Sequence, residues 1–212
     1  MSRYNSVVIE LHYLPCLEYF ALLMCCDRVV VEACEHYVKQ TYRNRCHVQV
    51  ANGTRALTVP VVGGKKKVPV QDLAIDNTQD WLKQHWRTLQ SAYGKSPFFE
   101  YYADGLQAIY NGPPTHMFAL NQELLTYCLN MLQLDVDIIY TDRYEAVPEN
   151  GLIDMRNQIH PRKGPGLSGI YQPTPYYQTF GPVFVQNLSV VDLLFNEGPN
   201  AKSVLRQSLQ KG

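Results

Sequence analysis

The sequence predicts an α/β fold: an open, mostly parallel sheet with a Rossmann-like strand-helix-strand opening, a β-hairpin insertion and a helical C-terminal part. Three observations carry this. Two β-branched runs, Val7–Leu11 and Arg28–Ala33, bracket an apolar helical stretch, the unit that builds parallel sheets. Asn52-Gly53 lies between two alternating runs, the strongest short-range hairpin signal. Beyond residue 80, apolar residues recur with helical period.

Taken in order, Val7, Ile9 and Leu11 alternate with Val8, Glu10 and His12, so the second face of strand one turns polar at its carboxyl end. Pro15 opens a helix over residues 17–26, and Arg28–Ala33 follows as a buried strand reached by a right-handed crossover. Residues 46–50 and 56–61 form the hairpin, and Gly63-Gly-Lys-Lys-Lys67 is an exposed loop. Asn77 with Asp80 reads as a capping box for a helix that Gly94 ends. On it Trp81, Leu82, Trp86, Leu89, Ala92 and Tyr93 share a face with His85. Ser96-Pro97 caps a second helix to about Tyr110, and Asn121-Gln-Glu-Leu starts a third. Residues 137–141 form a late strand. From 148 to 182, prolines at 148, 161, 165, 173, 175 and 182 and glycines at 151, 164, 166, 169 and 181 predict a long ordered loop or lid. Ser189 with Asp192 reads as a capping box, with Leu188 and Leu193 as its staple, and Gly198-Pro199 separates two last short helices.

A chain of 212 residues, 46% hydrophobic, suits one domain over 1–212. Nineteen basic side chains balance nineteen acidic ones, which removes the field expected of a nucleic-acid or membrane-surface binder. Any charged ligand must be met locally. Six scattered cysteines lack the spacing of a secreted disulfide scaffold, and no apolar run approaches the roughly 20 residues that span a bilayer. A cytoplasmic protein with reduced thiols, no membrane span and a small-molecule partner is expected. Oligomeric state is open.

In an open parallel sheet, ligands collect beyond the carboxyl ends of the strands, where Glu10, His12 and Tyr13 follow strand one. His12 or His85 could act as a base, with Glu10 fixing the tautomer. The alternatives are a strand-end hydrogen bond for His12 and a satisfied core role for His85. Arg43-Asn44-Arg45 could present paired guanidinium forks to phosphate; a solvated pair is the alternative, more so for Arg43 than for Arg45. Asn187 and Asp192 could form an anion seat at a helix start, or simply cap it. Gly164-Pro-Gly-Leu-Ser-Gly169 matches a dinucleotide string but lacks the flanking strand and helix. Neither Cys34-x-His36 nor Cys46-His47 has zinc-knuckle spacing, so no metal and no cofactor is expected. Cys16, at a helix opening, reads as packing rather than as an activated thiol.

Several segments together resemble the WbqC-like family: Tyr13-Leu-Pro15 with Tyr19-Phe20 and Asp27, Asn44-Arg45, Leu57-Thr-Val-Pro60, Trp81 with His85 and Tyr93, Tyr140-Thr-Asp142, and Asn187 through Gly198. The likeness runs nearly end to end. It departs from the family's usual opening, His-Gln-Pro-x-Tyr-Leu-Pro-Trp-x-Gly: Ile9 replaces the histidine, Glu10 the glutamine, Leu11 the proline, Cys16 the tryptophan and Glu18 the glycine. Tyr42 stands near where a tryptophan commonly precedes the Asn-Arg pair. The resemblance implies a setting in polysaccharide or O-antigen biosynthesis and a transferase that moves an acyl or aminoacyl group to an amino sugar, as on a sugar nucleotide. There His12 would stand in for the missing histidine, and Tyr13, Asn44, Arg45, Asn187 and Asp192 would hold ligand. Most of Glu10, His12, Asn44, Arg45, His85 and Asp192 are expected to line one cleft. A noncatalytic nucleotide- or sugar-binding module is the alternative, and nucleotidyl transfer a further one by architecture alone.

Overall fold

A computed structural model describes residues 4–63, 67–112, 115–149, 151–164 and 169–210. The elements in chain order are β1 (Tyr4–Glu10), α1 (Leu17–Met24), β2 (Cys26–Glu32), β3 (Arg45–Val50), β4 (Gly53–Thr58), α2 (Trp81–Tyr93), α3 (Phe99–Asn111), α4 (Met117–Met131), β5 (Asp137–Tyr140), β6 (Ile153–Asp154), α5 (Val190–Glu197) and α6 (Ala201–Gln207). Four strands form a parallel sheet in the order β5-β2-β1-β6, and β3 with β4 forms the separate antiparallel hairpin. The fold is therefore α/β as the sequence predicts.

Strand alternation divides the sheet. Val7 and Ile9 of β1 and Val29 and Val31 of β2 enter one core with Leu17, Phe20, Ala21 and Leu23 of α1. The intervening residues Ser6, Val8, Arg28, Val30 and Glu32 face the opposite side, where a cavity lies. Among the described residues, the lining of that cavity beyond the sheet's own strands comes from the irregular segment after β5.

Segment 187–190 ties the two ends of the chain together. Leu17 N donates to Leu188 O, Val190 N to Pro15 O, and Ser189 N to His47 O of the hairpin. Asn187 Oδ1 accepts from Glu18 N at 2.9 Å and so caps α1 from 169 positions away in the chain.

Several local expectations are corrected. Asp80 is the N-cap of α2 but no side chain caps it; Asn77 Oδ1 accepts from the Trp81 indole at 3.0 Å instead. Ser189 is the N-cap of α5 without a side-chain cap, because its hydroxyl donates to Leu14 O at 2.9 Å and Asp192 is engaged by other side chains. Helix α4 begins at Met117 rather than near Asn121, whose amide is spent on Arg43 O at 2.7 Å. Within the Pro/Gly-rich stretch, β6 pairs with β1 through Val7–Ile153 and Val8–Asp154, a strand too short for any periodicity to announce. The Lys65-Lys66 part of the basic loop and residues 165–168 of the glycine string lie outside the described residues.

Gly198 joins α5 to the turn before α6 at φ 52°, and a Cβ there would lie 2.4 Å from the Phe98 ring. Both left-handed backbone and space select glycine. Gly198→Ala is expected to lower unfolding free energy by about 1–3 kcal/mol, from overpacking and backbone strain. Urea denaturation checks this; a change below a few tenths would contradict it.

Candidate functional site

The chain runs β1 to β2 to β5 on one side and returns to β6 on the other side of β1. The order thus reverses beside β1, the place where open α/β sheets receive ligands beyond the carboxyl ends of their strands. What gathers there is charged. Val-Val-Ile-Glu10 and Val-Val-Val-Glu32 end adjacent strands in the same register, with Glu10 directly opposite Glu32. Both are almost fully buried.

Two guanidinium groups from different segments offset these carboxylates. Arg43 has no exposed surface. Its Nε and Nη2 reach Glu35 Oε1 and Oε2, each at 2.6 Å, Nη2 also donates to Asn157 Oδ1 at 3.0 Å, and Nη1 lies 3.6 Å from Glu10. Arg43 is therefore no solvated cation; burial would weaken its charge, but Glu35 and Glu10 outweigh that. Arg156 donates to Glu32 Oε2 at 3.0 Å, to Asp154 Oδ2 at 2.8 Å and to Glu145 O at 2.8 Å. Asn157 N adds a 2.9 Å bond to Glu10 Oε2. The 148–182 stretch thus brings Arg156 and Asn157 over the sheet edge.

Within this knot Glu10 and His12 form a dyad. His12 Nε2 lies 3.1 Å from Glu10 Oε1, on the same face of the extended chain. Burial pushes Glu10 upward, yet the His12 hydrogen bond and the Arg43 charge prevail and take it down to about 2. Burial dominates for His12 and lowers its pKa despite Glu10, so the ring is neutral near pH 7. A carboxylate can only accept, which assigns the proton to Nε2 and a lone pair to Nδ1. That Nδ1 has no partner among the described residues. The ring sits between Tyr19 and Tyr42, with centroids 4.7 and 5.4 Å away.

The remaining candidates occupy other networks. His85 Nδ1 meets Tyr13 Oη at 2.9 Å, and Tyr13 meets Tyr110 Oη at 2.5 Å, all buried. Burial takes the His85 pKa down to about 4, against a bond to the Thr58 backbone. Asp192 accepts from Tyr93 at 2.7 Å and Tyr176 at 2.6 Å, with Gln178 at 3.3 Å, and burial still raises its pKa. Asn187 Nδ2 reaches Glu18 Oε2 at 3.1 Å. Asn44 Nδ2 donates to Val59 O at 2.8 Å, while its Oδ1 and the buried Nε of the half-buried Arg45 lack partners among the described residues. The structure joins Glu10 with His12 and leaves Tyr13 with His85, Asp192, and Asn187 in separate groups. Sequence reasoning missed Glu32, Glu35, Arg156 and Asn157. The matched strand endings were the visible signal for Glu32; nothing local marked the other three.

Beside the knot, on the outer sheet face, lies a cavity of about 580 Å³ that includes Val8, Val30, Glu32 and Arg156 in its lining. Glu10 and His12 continue the same face of β1 beyond it. Cys16 is held at about 12 by burial, an inert thiol. Among the described residues no group of three or more His, Cys, Asp or Glu is arranged to hold a metal ion, and no helix is long and apolar enough to cross a membrane.

A sequence profile described as the WbqC-like protein family matches residues 11–164 and 162–204. An uncharacterised protein of Mycobacterium tuberculosis, Rv1507c, is 26% identical over 227 residues, covering 96% of this chain and 98% of the relative. No solved structure matches.

Proposed function

The chain belongs to the WbqC-like protein family, and from that premise we propose that it tailors glycan precursors by transferring an acyl or aminoacyl group to the amine of an amino sugar carried on a nucleotide. The observation that supports this chemistry is the Glu10–His12 dyad: a carboxylate holding Nε2–H while the Nδ1 lone pair is left without a partner at the carboxyl end of β1. In this reading His12 Nδ1 takes a proton from the acceptor nitrogen as that nitrogen attacks the carbonyl carbon of an activated acyl donor. The N–C bond forms, the bond to the donor's leaving group breaks, and His12 returns the proton to the leaving group. Glu10 stabilises the imidazolium between the two steps. In this reading Arg45 and Asn44 meet the carrier, while Tyr13, Asn187 and Asp192 stay in their own hydrogen-bonded groups and His85 packs rather than reacts.

Because His12 has no exposed surface, this reading requires its cover to open; Asn157, whose N–H donates to Glu10 Oε2, belongs to the 148–182 segment, which in this reading serves as the lid. Binding without turnover is the second reading, favoured by that same burial and by Ile9 in place of the family's histidine.

Purified protein incubated with sugar nucleotides bearing a free amine and with activated acyl donors is expected to yield an amide. His12→Gln should reduce turnover by about 10²–10⁴-fold while thermal stabilisation by the sugar nucleotide persists. Stabilisation without product favours the binding module; absence of both product and binding would sink the proposal.

A further inference from the structure

A smaller cavity, of about 220 Å³, lies against the hairpin. Its lining includes His47 of β3, Thr54 of β4, Tyr42, Pro161, Gly164 and Asn187, and no Asp or Glu side chain. One aromatic ring separates it from the dyad: His12 packs on Tyr42 with centroids 5.4 Å apart, and Tyr42 packs on His47 at 5.7 Å. Its volume falls below the about 300–1,000 Å³ of sites for whole drug-sized molecules, so it suits one polar group of a larger ligand.

The unpaired charges around this space have one sign. Arg45 precedes His47 by two positions on β3, so the two share a strand face. Burial and then the Arg45 charge lower the His47 pKa. Pro161 and Gly164 bracket Arg162 and Lys163 in a turn closed by the Lys163 N–H on His160 O at 3.1 Å. After burial, Lys163, Arg162 and Arg43 lower the His160 pKa, with Glu10 opposing them. None of the ion pairs among the described residues involves Arg45, Arg162 or Lys163. Arg45 Nε is buried without a hydrogen-bond partner among those residues, and Arg162 meets only the neutral side chain of Gln40. Glu18, whose charge Tyr42 feels, is fully buried, does not line the space and accepts from Asn187. A cation entering here meets no carboxylate in the lining and three unneutralised cations about it. An anion brings the acceptors that Arg45 lacks.

We infer that this pocket seats a phosphoryl group, held by Arg45 and His47 from β3 and drawn in by Arg162 and Lys163 from the turn. A guanidinium fork matches phosphate oxygens. The inference rests on the transfer reading for the source of that group, the nucleotide carrier, and extends it by giving the carrier's phosphate a place one ring away from His12.

Titration calorimetry on the full chain with uridine diphosphate, uridine and inorganic phosphate tests it. Uridine diphosphate is expected to bind at least about tenfold more tightly than uridine, the effect of one charged hydrogen bond or more, and to weaken as salt is raised. Inorganic phosphate should bind more weakly than the diphosphate; equal affinities would overturn the carrier as the occupant. Arg45→Gln orphans no acceptor, because Arg45 bonds to none, and should weaken uridine diphosphate by about 10–100-fold. Arg162→Ser/Lys163→Ser changes only exposed side chains and should weaken it by about 2–10-fold. Uridine binding should be the same in both variants as in the parent. Equal affinity for uridine and its diphosphate, no binding of the diphosphate, or diphosphate binding unchanged in both variants overturns the inference. Amide formation with unchanged diphosphate binding in the variants would sink the pocket and keep the transfer reaction; variants that lose the diphosphate while the parent binds it and forms no amide would do the reverse.

Discussion

Replacing Arg43 with methionine is expected to lower the unfolding free energy by about 3–5 kcal/mol, because removing one partner leaves buried charge uncompensated. Arg43 is fully buried, bidentate to Glu35 and 3.6 Å from Glu10. Methionine fills much of the volume but supplies no donor to three acceptors. Against a typical total of about 5–15 kcal/mol, the loss takes a third or more. Two features separate this from ordinary core damage. The cost should shrink as pH falls, since Glu35, whose pKa burial already raises despite Arg43, becomes neutral early. The double variant Arg43→Met/Glu35→Leu should also recover most of the loss, as apolar replacements of buried ion pairs commonly do. Urea denaturation at pH 7 and pH 5 measures both effects; a loss below about 1 kcal/mol for the single variant would show that the pair contributes nothing net.

The second large effect belongs to His85. Its pKa is lowered from 6.5 to about 4, first by burial. Below pH 6.5 the unfolded chain therefore takes up a proton that the folded protein refuses, so stability is fully present above that pH and is lost as pH falls toward 4. The displacement corresponds to about 3 kcal/mol over the window. His12 is also lowered and adds a slope of the same sign. Glu35 and Asp192, with raised values, contribute the opposite slope, so the comparison must be made with a variant. His85→Gln should start lower at pH 7 by about 1–3 kcal/mol, for the disturbed bond to Tyr13, and should show a flatter fall between pH 6.5 and 4. Parallel curves for the two proteins would mean that His85 does not titrate as its surroundings dictate.

The strand-helix-strand opening, the hairpin and the order of the helices were legible because each is written in local periodicity or turn chemistry. Val7, Ile9 and Leu11 go inward as their alternation demands, and Gly53 sits at φ 108° in the hairpin turn. Helix starts were less legible. Asn77, Ser189 and Asn121 carry the right chemistry for caps, but Ser189 and Asn121 are claimed by the distant Leu14 and Arg43 carbonyls and Asn77 accepts from the indole of Trp81 four positions on, and sequence spacing cannot tell a cap from such a contact. The candidate site divides the same way. The Glu10–His12 contact follows from residues two apart on an extended chain. Arg156 and Asn157 approach Glu32 and Glu10 across 124 and 147 positions, and Arg43 looked solvent-bound because a charged residue in a polar tripeptide ordinarily is.

The twin glutamates closing β1 and β2 have a consequence for how the protein assembles. Glu10 is neutralised from residue 43, but Glu32 waits for residue 156. An amino-terminal half emerging first during synthesis therefore carries Glu10, Glu32 and Glu35 near one another with Arg43 alone, already bidentate to Glu35, to offset them. The sheet's upper rim is in this sense completed late, by whichever segment delivers the second arginine, and the first two strands gain their full mutual stability only once the chain has grown past the turn that carries it.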